Sequence, residues 1–382
     1  MFTRLESIRG LAACLVVIYH SPFRFENQSF AFISNSYLFV DLFFVLSGFV
    51  MAYAYSEKIL AGMGFSRYLA LRLGRLYPLH LFTLMLWVPY VLLKQYLYLS
   101  GFGGTDQLVD NNVSTFFSNL MLIHAMGIHD SLSWNQPSWS ISTEFFAYLV
   151  FFVLTVSLDR QRTLIFPLLV SAGCYLALQV LGQERLLTTY DYGFIRCLGA
   201  FYLGILVYRI RSKAVHENWL ATIRKNRQAL TGAELAATLL VIASVSLAGQ
   251  GYVFALLAVA SFCVAILVFS APDGGALSRV LNIGLIRQIG VWSFSIYMIH
   301  RLLQFGVSNV SEFILGIDPE QPMGWVSVVI NLIMLAAIIW LSKWSYEYVE
   351  KPCRDWVKRR LSKPELPPEV PDQVGSSSLT KD

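Results

Sequence analysis

The sequence predicts an all-α fold, a polytopic integral membrane bundle of about ten transmembrane helices. Three observations predict it. Hydrophobic residues make up 56% of the 382 residues and charged residues only 14%, against about 45–50% and about 25% in an ordinary soluble chain. Aromatic residues reach 14%, with 27 Phe, 19 Tyr and 9 Trp, which suits lipid-facing helices with interfacial belts. Mean hydropathy is +0.56, and the apolar residues fall into runs of about 20, enough to cross a bilayer core. This composition excludes disorder, a coiled coil and a nucleic-acid binder, and it argues against a soluble enzyme.

The runs lie at about 8–22, 38–56, 79–99, 140–158, 163–181, 192–210, 230–248, 252–270, 289–306 and 324–343. The first follows Arg4 and Arg9 as a signal peptide would. It ends on His20-Ser21-Pro22-Phe23 with no small-residue cleavage site, so it reads as a retained span. The second opens near Asp41 and carries Ser47 and Gly48 at mid-span, small residues that suit close packing or a channel wall. The third follows Arg67, Arg72 and Arg75. The stretch 113–128 is amphipathic and short, and is expected to be a re-entrant or surface helix. After residue 360 the chain turns Pro- and Ser-rich, so 361–382 is expected to be a disordered tail to a membrane domain of 1–360. The five cysteines form no CxxC or Cys/His cluster and read as small apolar helix residues. His80, His124, His129 and His216 stand alone and read as structural or solvated, and no metal signature appears.

Ten spans put both termini on one side. One set of loops holds Arg67, Arg72, Arg75, Arg160, Arg162, Arg209, Arg211, Lys213, Arg224, Lys225, Arg227, Arg279 and Arg287, and the basic residues of both termini join them. The opposite loops hold Asp106, Asp110, Asp130, Glu184, Asp191, Glu312, Asp318 and Glu320, with Arg24 and Arg185 among basic residues. The positive-inside rule makes both termini cytoplasmic, and it accounts for the net charge of +5 without nucleic acid.

Ionisable groups within spans are costly and therefore functional candidates. Arg9 and His20 lie eleven residues apart, about 16 Å along a helix, which puts Arg9 near the cytoplasmic face and His20 in the outer half. Asp41, Glu144 and His300 fall at a depth similar to His20, so the four are expected to line one cavity. His20 with Glu144 or Asp41 would make a general-base pair. The bland alternatives are a helix-end histidine at the interface, first-turn carboxylates stabilised by the helix dipole, or pairing with a buried cation. Arg72 and Arg75 share a helix face and could bind phosphate, or could simply mark the inner membrane edge.

These residues coincide with a family pattern. Residues 9–13 (Arg-Gly-Leu-Ala-Ala) lead to His20, residues 41–49 read Asp-Leu-Phe-Phe-Val-Leu-Ser-Gly-Phe, and 72–78 read Arg-Leu-Gly-Arg-Leu-Tyr-Pro. Residues 137–144 (Pro-Ser-Trp-Ser-Ile-Ser-Thr-Glu), 293–300 (Ser-Phe-Ser-Ile-Tyr-Met-Ile-His) and 348–352 (Tyr-Val-Glu-Lys-Pro) complete it. The chain resembles the acyltransferase 3 family of integral membrane acyltransferases, which modify cell-surface polysaccharide and lipopolysaccharide. The resemblance implies acyl transfer, acetyl above all, from cytosolic acetyl-CoA (acyl-CoA) as co-substrate to a saccharide hydroxyl, with no metal. It implies His20 as the catalytic histidine, with Glu144 and Asp41 as site carboxylates. Arg9, Arg72, Arg75 and Ser47 are the donor-side residues, and Trp139, Tyr297 and His300 the acceptor-side ones. The partners expected are the lipid bilayer, acyl-CoA and the saccharide acceptor, and self-association stays open. The expected location is the bacterial inner membrane. A transporter or flippase of a lipid-linked sugar is the rival reading, and a purely structural scaffold a third.

Overall fold

A computed structural model describes residues 2–23, 30–158, 163–216 and 226–361 of the chain. The expected disordered tail lies outside these residues apart from Leu361, as do Arg24, Arg160, Arg162, Arg224 and Lys225. Ten long helices occupy the ten apolar runs: α1 Thr3–Tyr19, α2 Phe39–Leu60, α3 Phe65–Leu99, α4 Trp139–Ser157, α5 Ile165–Val180, α6 Gly193–His216, α7 Arg227–Leu247, α8 Tyr252–Phe269, α9 Gly284–Phe313 and α10 Trp325–Ser345. No strand occurs among the described residues.

Among the described residues, seven helices are long and apolar enough to cross a membrane: α2, α3, α4, α6, α7, α8 and α10. The 16 residues of α5 are apolar but fewer. The other two, α1 and α9, carry Arg4, Glu6 and Arg9, and Arg287, Arg301 and Glu312. They depart from a plain apolar pattern because they face each other and satisfy polar groups between them.

Neighbouring helices run in the relative directions that ten alternating crossings require. The first and ninth are parallel: Gly10 meets Gly290, and His20 meets His300 further along. The second and sixth are parallel, with Asp41 on Arg196 and Gly48 on Phe201. The fifth and sixth are antiparallel, Cys174 against Gly199 and Thr163 against Arg209. The seventh and eighth are antiparallel through Ser244 and Ser261.

Two close approaches set the arrangement. A Cβ on Gly10 would lie 2.6 Å from the Gly290 nitrogen. A Cβ on Gly48 would lie 1.8 Å from the Phe201 carbonyl oxygen, and one on Gly204 1.9 Å from that of Val45. Only hydrogen at these positions lets the backbones touch. His20 lies ten residues beyond Gly10, and Asp41 seven residues before Gly48, so each contact delivers a functional side chain to a partner about two or three turns away.

The stretch 113–128 is no span. Val113–Leu120 is a helix of 8 residues capped by Asn112 and Thr115, only about 12 Å long. The loop after it carries His124 back to α3, where its ring stacks on His80 at 6.0 Å. His80 Nε2 meets the Asn119 carbonyl at 2.9 Å, and His124 Nε2 meets Ser138 Oγ at 3.0 Å. His129 Nε2 meets Ser118 Oγ at 2.6 Å. His80, His124 and His129, which form no cluster in the sequence, thus have a structural role as expected, but through one shared network. They tie the loop to the bundle, and no sequence spacing announces it because the network spans two helices and a loop. The side chain of His216 lies outside the described residues.

At the last turn of α10 the chain changes pitch. Tyr346–Glu350 is a π-helical turn, followed by the helix Lys351–Leu361. Pro352 has no N–H to give the Tyr348 carbonyl, so the α-helical ladder cannot continue unbroken there. Such turns re-aim side chains, and here Glu350 is buried.

Candidate active site

Three polar centres lie inside the bundle. At the His20 end, outer by the charge distribution, His20 Nδ1 is 3.0 Å from the Val16 carbonyl and 3.3 Å from His300 Nε2. His300 Nδ1 is 2.6 Å from the Tyr297 carbonyl. A carbonyl only accepts, so in a neutral His300 the proton sits on Nδ1 and Nε2 accepts. In a neutral His20 the Nδ1 proton is then shared between Val16 and His300, which leaves Nε2 with a free lone pair. His20 is half-buried and His300 fully buried. The Tyr297 ring lies 5.7 Å from that of His300. Arg301 Nη1 donates to the His20 carbonyl at 3.2 Å. Gln304 Nε2 donates to the Val17 carbonyl at 2.7 Å.

Deeper toward the Arg9 end is a second centre. Glu144 Oε1 accepts from Ser47 Oγ and, at 2.6 Å, from the Tyr148 hydroxyl one turn along α4. Arg75 stands within electrostatic reach of Glu144, Tyr148 and Glu350, and Arg9 within reach of Glu144 and Glu350. Arg9 Nε donates to Ser293 Oγ at 2.7 Å, and Ser295 Oγ donates to Glu350 at 3.2 Å. Two cations and two carboxylates thus share this region, which offsets part of the cost of burying either sign alone. Arg72 turns aside. It is buried, its guanidinium 4.3 Å from the Tyr55 ring centre and bonded to the Tyr55 hydroxyl.

The third centre is Asp41 with Arg196. Nε donates to Oδ1 at 3.0 Å and Nη2 to Oδ2 at 2.6 Å. Nη1 adds the Thr188 carbonyl at 3.0 Å, and the guanidinium stacks 5.6 Å from the Trp139 ring.

Residues 2–344 match the acyltransferase 3 family, described as an acyltransferase domain. The chain belongs to that family. It is an acyltransferase, and its helices make it a multi-pass membrane protein. It is also 34% identical over 152 residues to "Protein 2 in picA locus" of Rhizobium radiobacter, across 37% of this chain and 76% of that protein. No solved structure matches.

The four groups expected to converge fall into three hydrogen-bonded sets. His20 and His300 meet, and Tyr297 joins them. Neither Glu144 nor Asp41 orients the imidazole: Glu144 takes Ser47, and Asp41 is held by Arg196. Trp139 packs on that ion pair and against Phe44, 6.1 Å away, rather than beside His300. Arg9 and Arg75 share a centre, and Arg72 borders it, 4.3 Å from the Tyr55 ring and 5.8 Å from that of Tyr148. Four contributors escaped the sequence reading: Arg196, Arg301, Tyr148 and Glu350. Arg196 and Arg301 are lone cations inside apolar helices, the same signal that exposed His20. Glu350 sits within the Tyr348–Pro352 motif, where its inward aim depends on the π turn.

Proposed function

We propose that this protein transfers an acyl group, acetyl first among them, from cytosolic acyl-CoA to a hydroxyl of a cell-surface or lipid-linked saccharide, in a bacterial inner membrane. His20 is the general base. The observation that carries this is the contact geometry of the histidine pair: Nδ1 of His20 faces the Val16 carbonyl and His300 Nε2, which leaves Nε2 of a half-buried ring to act as the base.

The step balances without a metal. Nε2 takes the acceptor hydroxyl proton as the oxygen attacks the thioester carbonyl. The tetrahedral intermediate collapses, the C–S bond breaks, and the imidazolium returns the proton to the leaving thiolate. The products are the saccharide ester and free coenzyme A. His300 keeps the ring in the useful tautomer, the part a carboxylate plays in other triads. Tyr297 closes the far side of the pair.

The donor enters from the basic inner face. Arg75 and Arg9 are half-buried cations at that end, suited to phosphate, and Ser47 and Glu144 lie beyond them toward His20. The rise from Arg9 to His20, about 16 Å, is one that a narrow pantetheine arm can follow. Asp41 acts through Arg196 and Trp139, holding α2 on α6.

His20→Ala should abolish transfer while the protein still inserts and melts normally, and retained transfer would refute the role. Mass spectrometry of surface polysaccharide from a deletion strain reads the acceptor. Loss of an acyl increment from an otherwise intact polymer is expected, whereas an absent but unmodified polymer would indicate a transporter.

A further inference from the structure

Arg196 pairs with Asp41, Arg9 and Arg75 have Glu144 and Glu350 within electrostatic reach, and Arg72 is taken up by Tyr55. Arg301 forms no ion pair with a carboxylate among the described residues. The groups within its electrostatic reach are Tyr19, Tyr90, His20 and His300. Its guanidinium lies 4.2 Å from the Phe305 ring centre, and among the described residues one of its five N–H donors is spent, on the His20 carbonyl. The side chain is half-buried beside the base.

Two further observations lie along α9 toward its outer end. Gln304, one turn beyond His300 and 1% exposed, uses its Nε2 on Val17 and leaves Oε1 without a partner among the described residues. A buried amide oxygen without a donor costs about 1–3 kcal/mol. Asn309, two turns outward from Arg301 on the flank that meets α3, accepts from Lys94 Nζ at 3.2 Å. A second cation therefore stands about 12 Å further along the helix. An uncompensated arginine inside a span is costly and is a functional candidate by default.

We propose that Arg301 is the anion-binding residue of the acceptor subsite, so that the saccharide this protein acylates is a charged one. The charge is a carboxylate on the sugar ring or a phosphate at its linkage. It sits on the remaining donors of Arg301, a neighbouring hydroxyl donates to Gln304 Oε1, and the hydroxyl to be acylated faces His20 Nε2. Lys94 draws such a ligand toward the opening. This inference rests on the acyl-transfer reading for its orientation but not for its binding, and the test separates the two.

The full chain, in nanodiscs of zwitterionic lipid, is titrated with glucuronate, glucose 1-phosphate and glucose, with no acyl donor present. At least one charged probe is expected to bind about tenfold more tightly than glucose, the worth of one charge-assisted contact. Arg301→Gln should erase that preference and Arg301→Lys should keep part of it. Glucuronate alone would identify a ring carboxylate, and glucose 1-phosphate alone a phosphate linkage. His20→Ala should keep the preference, so a failure of the catalytic reading would leave this result standing. Equal binding of all three probes, no binding of either charged probe, or a preference that survives Arg301→Gln in a protein with wild-type melting would overturn the proposal.

Discussion

Replacing Arg196 by methionine strands the carboxylate of Asp41. Both residues are inaccessible, Asp41 at 0% and Arg196 at 2% exposure, and the pair is joined by two charge-assisted bonds of 3.0 and 2.6 Å. Removing one member of such a buried pair costs about 3–5 kcal/mol, mostly the cost of the charge left behind. Asp41→Asn should fall toward the lower end of that range, because Arg196 keeps the Thr188 carbonyl and its place over Trp139. The double variant Asp41→Asn/Arg196→Met leaves no stranded charge and should recover most of the loss. The cycle should therefore show a coupling of about 3 kcal/mol or more. Unfolding in mixed micelles, followed by tryptophan fluorescence, measures all four proteins. Additive losses would refute the pairing. An Asp41→Asn protein of wild-type stability with no transfer would show instead that Asp41 works in the chemistry.

Other outcomes follow from the same geometry. His300→Phe removes the acceptor for the His20 Nδ1 proton and should lower the transfer rate about 10²-fold or more with melting little changed; an unaltered rate would remove His300 from the mechanism. Glu144→Gln takes one of two carboxylates from Arg9 and Arg75, so transfer should fall and stability drop by about 1–3 kcal/mol, checked by melting and acyl release together. Gly48→Ala forces a methyl to 1.8 Å from a backbone carbonyl and should cost about 1–3 kcal/mol. Gly173→Ala, with nothing within 4 Å, should be neutral or stabilising by up to about 1 kcal/mol. In a cysteine-free background, Lys213→Cys should resist an impermeant thiol reagent added outside whole cells and Asp318→Cys should react, and the reverse would invert the topology.

Much of the fold was legible in hydropathy. The ten runs match ten helices to within a few residues, apart from α3 and α9, which extend well past their apolar stretches. The shortness of 113–128 was legible too, from its short amphipathic pattern, while the Asn112/Thr115 cap that starts its helix was not. At the candidate site the depth of His20 and His300 was readable from counting along a helix. Their partners were not. The sequence offers Glu144 or Asp41 to His20 on equal terms, and the structure gives His20 to His300 instead.

The physical reason is the range of each signal. Span position, helix length and the sidedness of charge are local, because each helix satisfies its own backbone in lipid whatever its neighbours do. The sequence by itself therefore determined that this chain is a helical membrane bundle, and which side its charges mark. Which buried charge meets which is a matter of helix adjacency. His20 and His300 are 280 residues apart, and Asp41 and Arg196 are 155 apart. Contacts such as Gly10 on Gly290 and Gly48 on Phe201 bring them together. Only the tertiary structure decided that Asp41 is neutralised, that His20 leans on another histidine, and that Arg301 stands beside the base with no carboxylate partner among the described residues.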